Sequence, residues 1–256
     1  MIHDFLDANA QREAIHFKNR VLDLVDIYVK KQPSSAYIPL LVLPLLQLVI
    51  TASPEESQLL EKATGILRSR IGKLKECPDE DETIDIGFIL EDLHSKARHA
   101  SSGDSLTTIG QCCCYLVRAL NRANGDDTIR SVYRQSLEDF VTRKSSRLNS
   151  AFFQEFIRRC PEVAWDTKQD ILDVSASKKA VNTYRRCQAL GLLNLLFNNI
   201  PTKVKERTLA RNIIADDHLF RMAFPRIFHP LSHRYKTLLS LHSRLPQLQG
   251  SSQQRR

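Results

Sequence analysis

The sequence predicts an all-α fold, a HEAT/armadillo-like superhelical stack of antiparallel helix pairs. Apolar residues recur at three- and four-residue steps along most of the chain, and strand-like alternation is absent. Eight glycines in 256 residues are too few for a β fold built on tight turns or for glycine-rich nucleotide loops. Paired helices start near residues 10, 54, 104 and 149, at intervals of about 44 to 50. That is close to the ~40–47 period of HEAT and armadillo arrays, in which each pair buries its second face against a neighbour.

Each element has a local reason. Ala14, Phe17, Val21, Leu24 and Tyr28 form an apolar stripe, with Arg12, Lys18, Asp23, Asp26 and Lys30 off it. A first amphipathic helix therefore packs through that stripe and ends near Gln32-Pro33-Ser34. The apolar run from Ala36 to Ile50 makes its partner. Pro39, Pro44 and Gln47 interrupt it, and it is shorter than the ~20 residues of a membrane span. Ser53-Pro54-Glu55-Glu56 reads as a helix start, with Ser capping, Pro in the first turn and acids complementing the dipole. That helix is expected to reach Lys75. Glu76 to Asp85 holds six acids and Pro78 and reads as a loop. Helices follow over about 83–98, 105–123, 127–144, 149–159, 161–174 and 178–199. In the last of these, Val181, Tyr184, Cys187 and Leu195 are expected to face inward.

Beyond Pro201 the segments shorten, limited by Pro225 and Pro230. The expected organisation is one helical-repeat domain over 1–245, with an acidic loop at 76–83 and a subdivision near 100–104. A Gln-, Ser- and Arg-rich disordered tail would cover 246–256.

The motifs that carry chemistry nearly match and then fail. Gly65 and Gly72-Lys73 have the wrong spacing for a phosphate loop, and Leu74 replaces its hydroxyl residue. Asn124-Gly125-Asp126-Asp127 contains Gly-Asp-Asp, which reads better as a helix end followed by an aspartate cap. His229 and His233 are four apart with Pro230 between them and no third ligand nearby. Cys112-Cys113-Cys114 point about 100° apart on a helix and cannot converge on one metal. The six cysteines also lack the spacing of a disulfide framework, so they read as small core residues in a reducing, intracellular setting. No apolar signal segment opens the chain. No catalytic residue, metal or cofactor is expected.

Charge is the feature with binding chemistry. The net charge of +8 divides into −5 over residues 1–128 and +13 over residues 129–256. The basic clusters are Arg143-Lys144-Arg147, Arg158-Arg159, Lys178-Lys179, Arg185-Arg186 and Lys203-Lys205-Arg207-Arg211. Repeated on successive helix pairs, they could align into a stripe for phosphates. The competing reading is a set of solvated helix faces with i,i+4 pairing. No aromatic residues interleave for base stacking, so any contact would be to the backbone.

One segment carries a resemblance. His16 to Pro33, reading HFKNRVLDLVDIYVKKQP, is similar to a stretch in the DNA polymerase phi/Myb-binding protein 1a family of nucleolar proteins. The following Leu40-Leu41-Val42-Leu43-Pro44-Leu45-Leu46 resembles that family's continuation, as does Ile84 to Arg98 more loosely. The resemblance covers about a third of the chain and implies a fragment from the C-terminal half of a longer protein. It further implies a helical scaffold in the nucleus and nucleolus, serving ribosome biogenesis and ribosomal DNA transcription. Its partners would be preribosomal particles or assembly proteins, ribosomal RNA or DNA, or transcription factors. No catalytic residue carries over despite the family's name. The alternatives are a pure protein-interaction module, a polymerase or other enzyme, and a karyopherin-like transport scaffold.

Overall fold

Ten α-helices build the described part of the chain. The computed structural model describes residues 2–53, 56–79 and 81–199, with side chains from residue 11 onward. They are α1 (Ile2–Lys31), α2 (Ile38–Thr51), α3 (Ser57–Gly65), α4 (Ile86–Arg98), α5 (Gly103–Arg122), α6 (Asp126–Thr142), α7 (Ser150–Arg159), α8 (Pro161–Asp166), α9 (Lys168–Ala176) and α10 (Thr183–Asn198). α3 runs on through a π-helical turn (Ile66–Arg70) and a 3-10 turn (Ile71–Lys73).

Short connections force successive helices antiparallel, and the packing sorts them into two layers. α2, α4, α6 and α9 lie side by side in one layer; α1, α3 with its continuation, α5, α7 and α10 form the other. Helices of the first layer begin 40 to 48 residues apart. This matches the HEAT/armadillo interval better than the 34 residues of a TPR unit. The fold is the all-α stack of antiparallel pairs that the periodicity predicts.

Several starts are set by identifiable caps. The side chains of Asp85, Ser102, Asn149 and Asn182 accept from the amides of Phe88, Ser105, Phe152 and Arg185, at 2.9 to 3.1 Å. Each satisfies an amide that the first turn leaves free. Pro44 sits inside α2 without ending it.

The core lies between the layers. Tyr115, Tyr133, Phe140, Phe153, Leu90, Leu93 and Ile109 are fully buried there, with Cys112, Cys113, Cys114 and Cys160. Four of the six thiols thus fill space as the sequence implies, whereas Cys77 is half-buried and Cys187 exposed.

Other expectations are corrected. Most of the α1 stripe is exposed, with Phe17 at 69% and Leu24 at 66%, and only Tyr28 at its end is half-buried. The buried face is instead Asn19, Leu22 and Val29, turned toward α3. Ion pairs Lys18–Glu56, Lys62–Asp23 and Arg70–Asp26 seat α1 on that side, at 2.7 to 2.9 Å. The following helix begins at Ser57, and the Glu56 carboxylate accepts the Ser53 amide in place of a serine cap.

Neither Asp126 nor Asp127 caps α6. Asn124 ends α5 in the left-handed conformation (φ 58°), and the Gly125 amide reaches back to the Leu120 carbonyl at 2.8 Å. The two aspartates occupy the first turn, where the dipole favours them. The expected 161–174 helix breaks at Thr167. The last helix starts at Thr183, not Lys178. Its inward face is Ala189, Leu192, Leu193 and Leu196, while Val181, Tyr184 and Cys187 are exposed.

Candidate nucleic-acid interface

The alternation of layers decides where charge gathers. Every connection from the α2 layer to the α3 layer falls on one edge of the stack, and every return falls on the other. The first edge carries the α4–α5, α6–α7 and α9–α10 connections. Backbone bonds stitch them together: the Arg147 amide donates to the Arg98 carbonyl at 3.2 Å, and the Val181 amide to the Val141 carbonyl at 2.9 Å.

On this edge stand Arg98, His99, Arg143, Lys144, Arg147, Lys178 and Lys179. Lys144, Arg147, Lys178 and Lys179 are exposed and have no ion-pair partner among the described residues. Arg143 is held by Asp139 at 3.3 Å and by the Ser145 hydroxyl. Cations here also suit the ends of α4 and α6, where carbonyls are left over.

The other predicted residues divide. Arg185 donates to the Leu148 carbonyl at 3.1 Å and lies over the Phe140 ring, 4.5 Å from its centroid. Arg186 donates to the Ser177 carbonyl at 2.8 Å. Both sit at the basic edge, with their guanidinium groups engaged in holding loops. Arg158 and Arg159 end α7, about 15 Å along that helix from its start. They therefore belong to the opposite edge. There Arg159 pairs with Glu155 and donates to the Gly72 carbonyl, both at 2.7 Å. Lys203, Lys205, Arg207 and Arg211 lie outside the described residues, as do His229, His233 and the tail.

The opposite edge carries Glu76, Asp79, Asp81, Glu82 and Asp85, then Asp126, Asp127 and Asp166. Burial raises the Asp166 carboxyl above its ordinary value, and neighbouring Asp126 adds to the rise. The opposite edge mixes these acids with Lys30, Lys31, Lys73, Lys75, Arg122, Arg158, Arg159 and Lys168, whereas the first edge is predominantly basic. Sequence reasoning missed Arg98 and His99 because they belong to the acidic half. The available signal was their place at the same connection type as Arg143–Arg147.

Among the described residues no three His, Cys, Asp or Glu side chains gather to hold a metal ion. None of the described helices is long and apolar enough to cross a membrane.

Comparison with known proteins gives the family. A family model described as Myb-binding protein 1A-like, TPR repeats, matches residues 32–210. A Schizosaccharomyces pombe protein, the rDNA transcriptional regulator pol5, is 29% identical over 101 residues. That stretch is 38% of this chain and 10% of the yeast protein. No solved structure matches. With the family model spanning most of the chain and the helices stacked as repeats, the protein belongs to the Myb-binding protein 1A-like family of helical-repeat proteins.

Proposed function

We propose that this chain is a non-catalytic scaffold segment in the nucleus and nucleolus. It acts in ribosomal DNA transcription and in ribosome biogenesis, including pre-rRNA processing and large-subunit assembly. Its partners are preribosomal particles or assembly proteins, and it touches ribosomal RNA or DNA through phosphate contacts. The observation that carries this reading is the basic edge, where Lys144, Arg147, Lys178 and Lys179, without ion-pair partners among the described residues, share one face of stitched loops. A row of cations with a single exposed aromatic nearby, Tyr184, favours backbone over base contact. The relative's description as an rDNA transcriptional regulator supports that reading.

Titrating labelled RNA and duplex DNA tests this. Four phosphate contacts should weaken binding between roughly 50- and 150-fold from 50 to 200 mM salt. Reversing Lys144, Arg147, Lys178 and Lys179 to Glu should abolish most binding, whereas Arg158→Glu should change it little. No binding at low salt, or full binding by the fourfold reversal, rejects the reading.

A protein-interaction role has its own observation. Phe17, Val21, Leu22, Pro44 and Leu48 line a shallow apolar groove of about 330 Å³ beside exposed Leu24. Transcription factors or assembly proteins that survive nuclease treatment in pulldowns, and depend on Phe17 and Leu24, would favour that role.

A further inference from the structure

The buried thiols are not equivalent. α5 and α7 pack side by side and run the same way, since both start on the basic edge. This brings Cys114 of α5 level with Cys160, just beyond the end of α7. Cys160 is 5% exposed and Cys114 fully buried. The Cys160 thiol donates to the Cys114 carbonyl at 3.7 Å, which brings the two residues into contact.

Two arginines flank the pair. Arg118, one turn beyond Cys114 on α5, donates through Nη2 to the Leu74 carbonyl at 2.6 Å, while its buried Nε has no acceptor among the described residues. Arg159 adjoins Cys160 in the chain. The neighbouring Cys114 holds the Cys160 thiol below its ordinary range, aided by the charges of Arg118 and Arg159 against the effect of burial. Cys114 is pushed the other way by Cys160 and by burial. Cys112, buried without such neighbours, is pushed up to about 12. The arrangement is that of an activated thiol with a protonated partner in reach, and thiolate character governs susceptibility to oxidation.

We propose that Cys160 and Cys114 form a dithiol pair that a hydroperoxide converts into a disulfide, joining α5 to the α7–α8 junction of the next repeat. The Cys160 thiolate attacks one peroxide oxygen and the O–O bond breaks. Cys160 becomes a sulfenic acid, and the departing hydroxide takes up the proton lost by the thiol to form water. The Cys114 thiol then attacks the Cys160 sulfur, the S–O bond breaks, and hydroxide leaves with the Cys114 proton as a second water. Two thiols and one peroxide thus give one disulfide and two waters. Nothing in this scheme depends on nucleic-acid binding.

The test uses the full chain with Cys187→Ser, which removes the exposed thiol. After treatment with hydrogen peroxide, free thiols are blocked with N-ethylmaleimide and peptides are mapped by mass spectrometry. The expected result is a Cys114–Cys160 cross-link within one chain and a loss of two titratable thiols, both reversed by dithiothreitol. With Cys114→Ser added, Cys160 should stop at a sulfenic acid that dimedone traps. With Cys160→Ser added, Cys114 should oxidise at least tenfold more slowly. Absence of the cross-link overturns the proposal. So does consumption of Cys112 or Cys113 at the same rate, or rapid oxidation of Cys114 without Cys160.

Discussion

The Val181 amide donates to the Val141 carbonyl at 2.9 Å, tying the α9–α10 connection to the last turn of α6. Lys178 and Lys179 lie just before Val181, and Arg143 just after Val141, so one hydrogen bond sets two basic clusters side by side. Val181→Pro deletes the donor. A lost, partly buried backbone bond should cost about 1–3 kcal/mol in urea unfolding. Phosphate binding should weaken although every cation remains. Unchanged RNA affinity in a destabilised variant would mean that loop registration does not matter for binding.

His94 makes stability depend on pH. It is fully buried, edge-on to the Tyr133 and Phe152 rings, with Nδ1 2.8 Å from the Ser136 hydroxyl. Burial, with a smaller contribution from Arg98, pushes it down to about 3 from 6.5. The folded state therefore keeps the ring neutral while the unfolded chain takes a proton below about 6.5. Its contribution is complete above that pH and is lost as pH falls toward 3. By pH 4.5 the loss should be about 2–3 kcal/mol. Denaturation midpoints between pH 7 and 4.5 should fall less steeply in His94→Gln. Parallel slopes would exonerate the histidine.

The two stripes of α1 make opposite predictions. Leu22→Ala empties a buried position and should cost about 2–4 kcal/mol. Leu24→Ser and Phe17→Ser alter solvent-facing positions and should stay within about 0.5 kcal/mol. Thermal unfolding of the three variants decides which stripe is core.

Asp170 is 3% exposed at the start of α9 and holds Arg130 of α6 through two bonds, at 2.7 and 3.3 Å. Arg134 approaches the same carboxylate at 3.9 Å. Asp170→Ala removes the common acceptor between neighbouring repeats and should cost about 1–3 kcal/mol. Arg130→Ala should cost less, because the arginine is half exposed and Arg134 can still reach Asp170. Equal costs from urea titrations of the two variants would contradict that order.

How much of this was legible depends on the range of the interaction. Helix identity was local, as at Ser102 and Asn149, where a short polar side chain meets an amide three residues on. The left-handed Asn124 was harder to foresee, since the neighbouring Gly125 is the usual occupant of that conformation. The α1 stripe misled because periodicity reveals that a helix has an apolar face, and Leu22 and Val29 supplied a second one. Ion pairs to Glu56, Lys62 and Arg70, formed across about 40 residues, selected between them.

The sequence by itself determined an all-α repeat stack, the family, and a surplus of positive charge in the second half. These follow from neighbours within one or two turns and from composition, which a linear reading contains. The tertiary structure decided which cations stand together. Alternating layers send Arg143–Arg147 and Lys178–Lys179 to the same edge and add Arg98 and His99 from the acidic half. They send Arg158 and Arg159 to the other edge and commit Arg185 and Arg186 to loop carbonyls. The physical reason is the direction of each helix: ten residues of α7 carry the chain from one edge to the other, so clusters close in sequence part while distant ones meet.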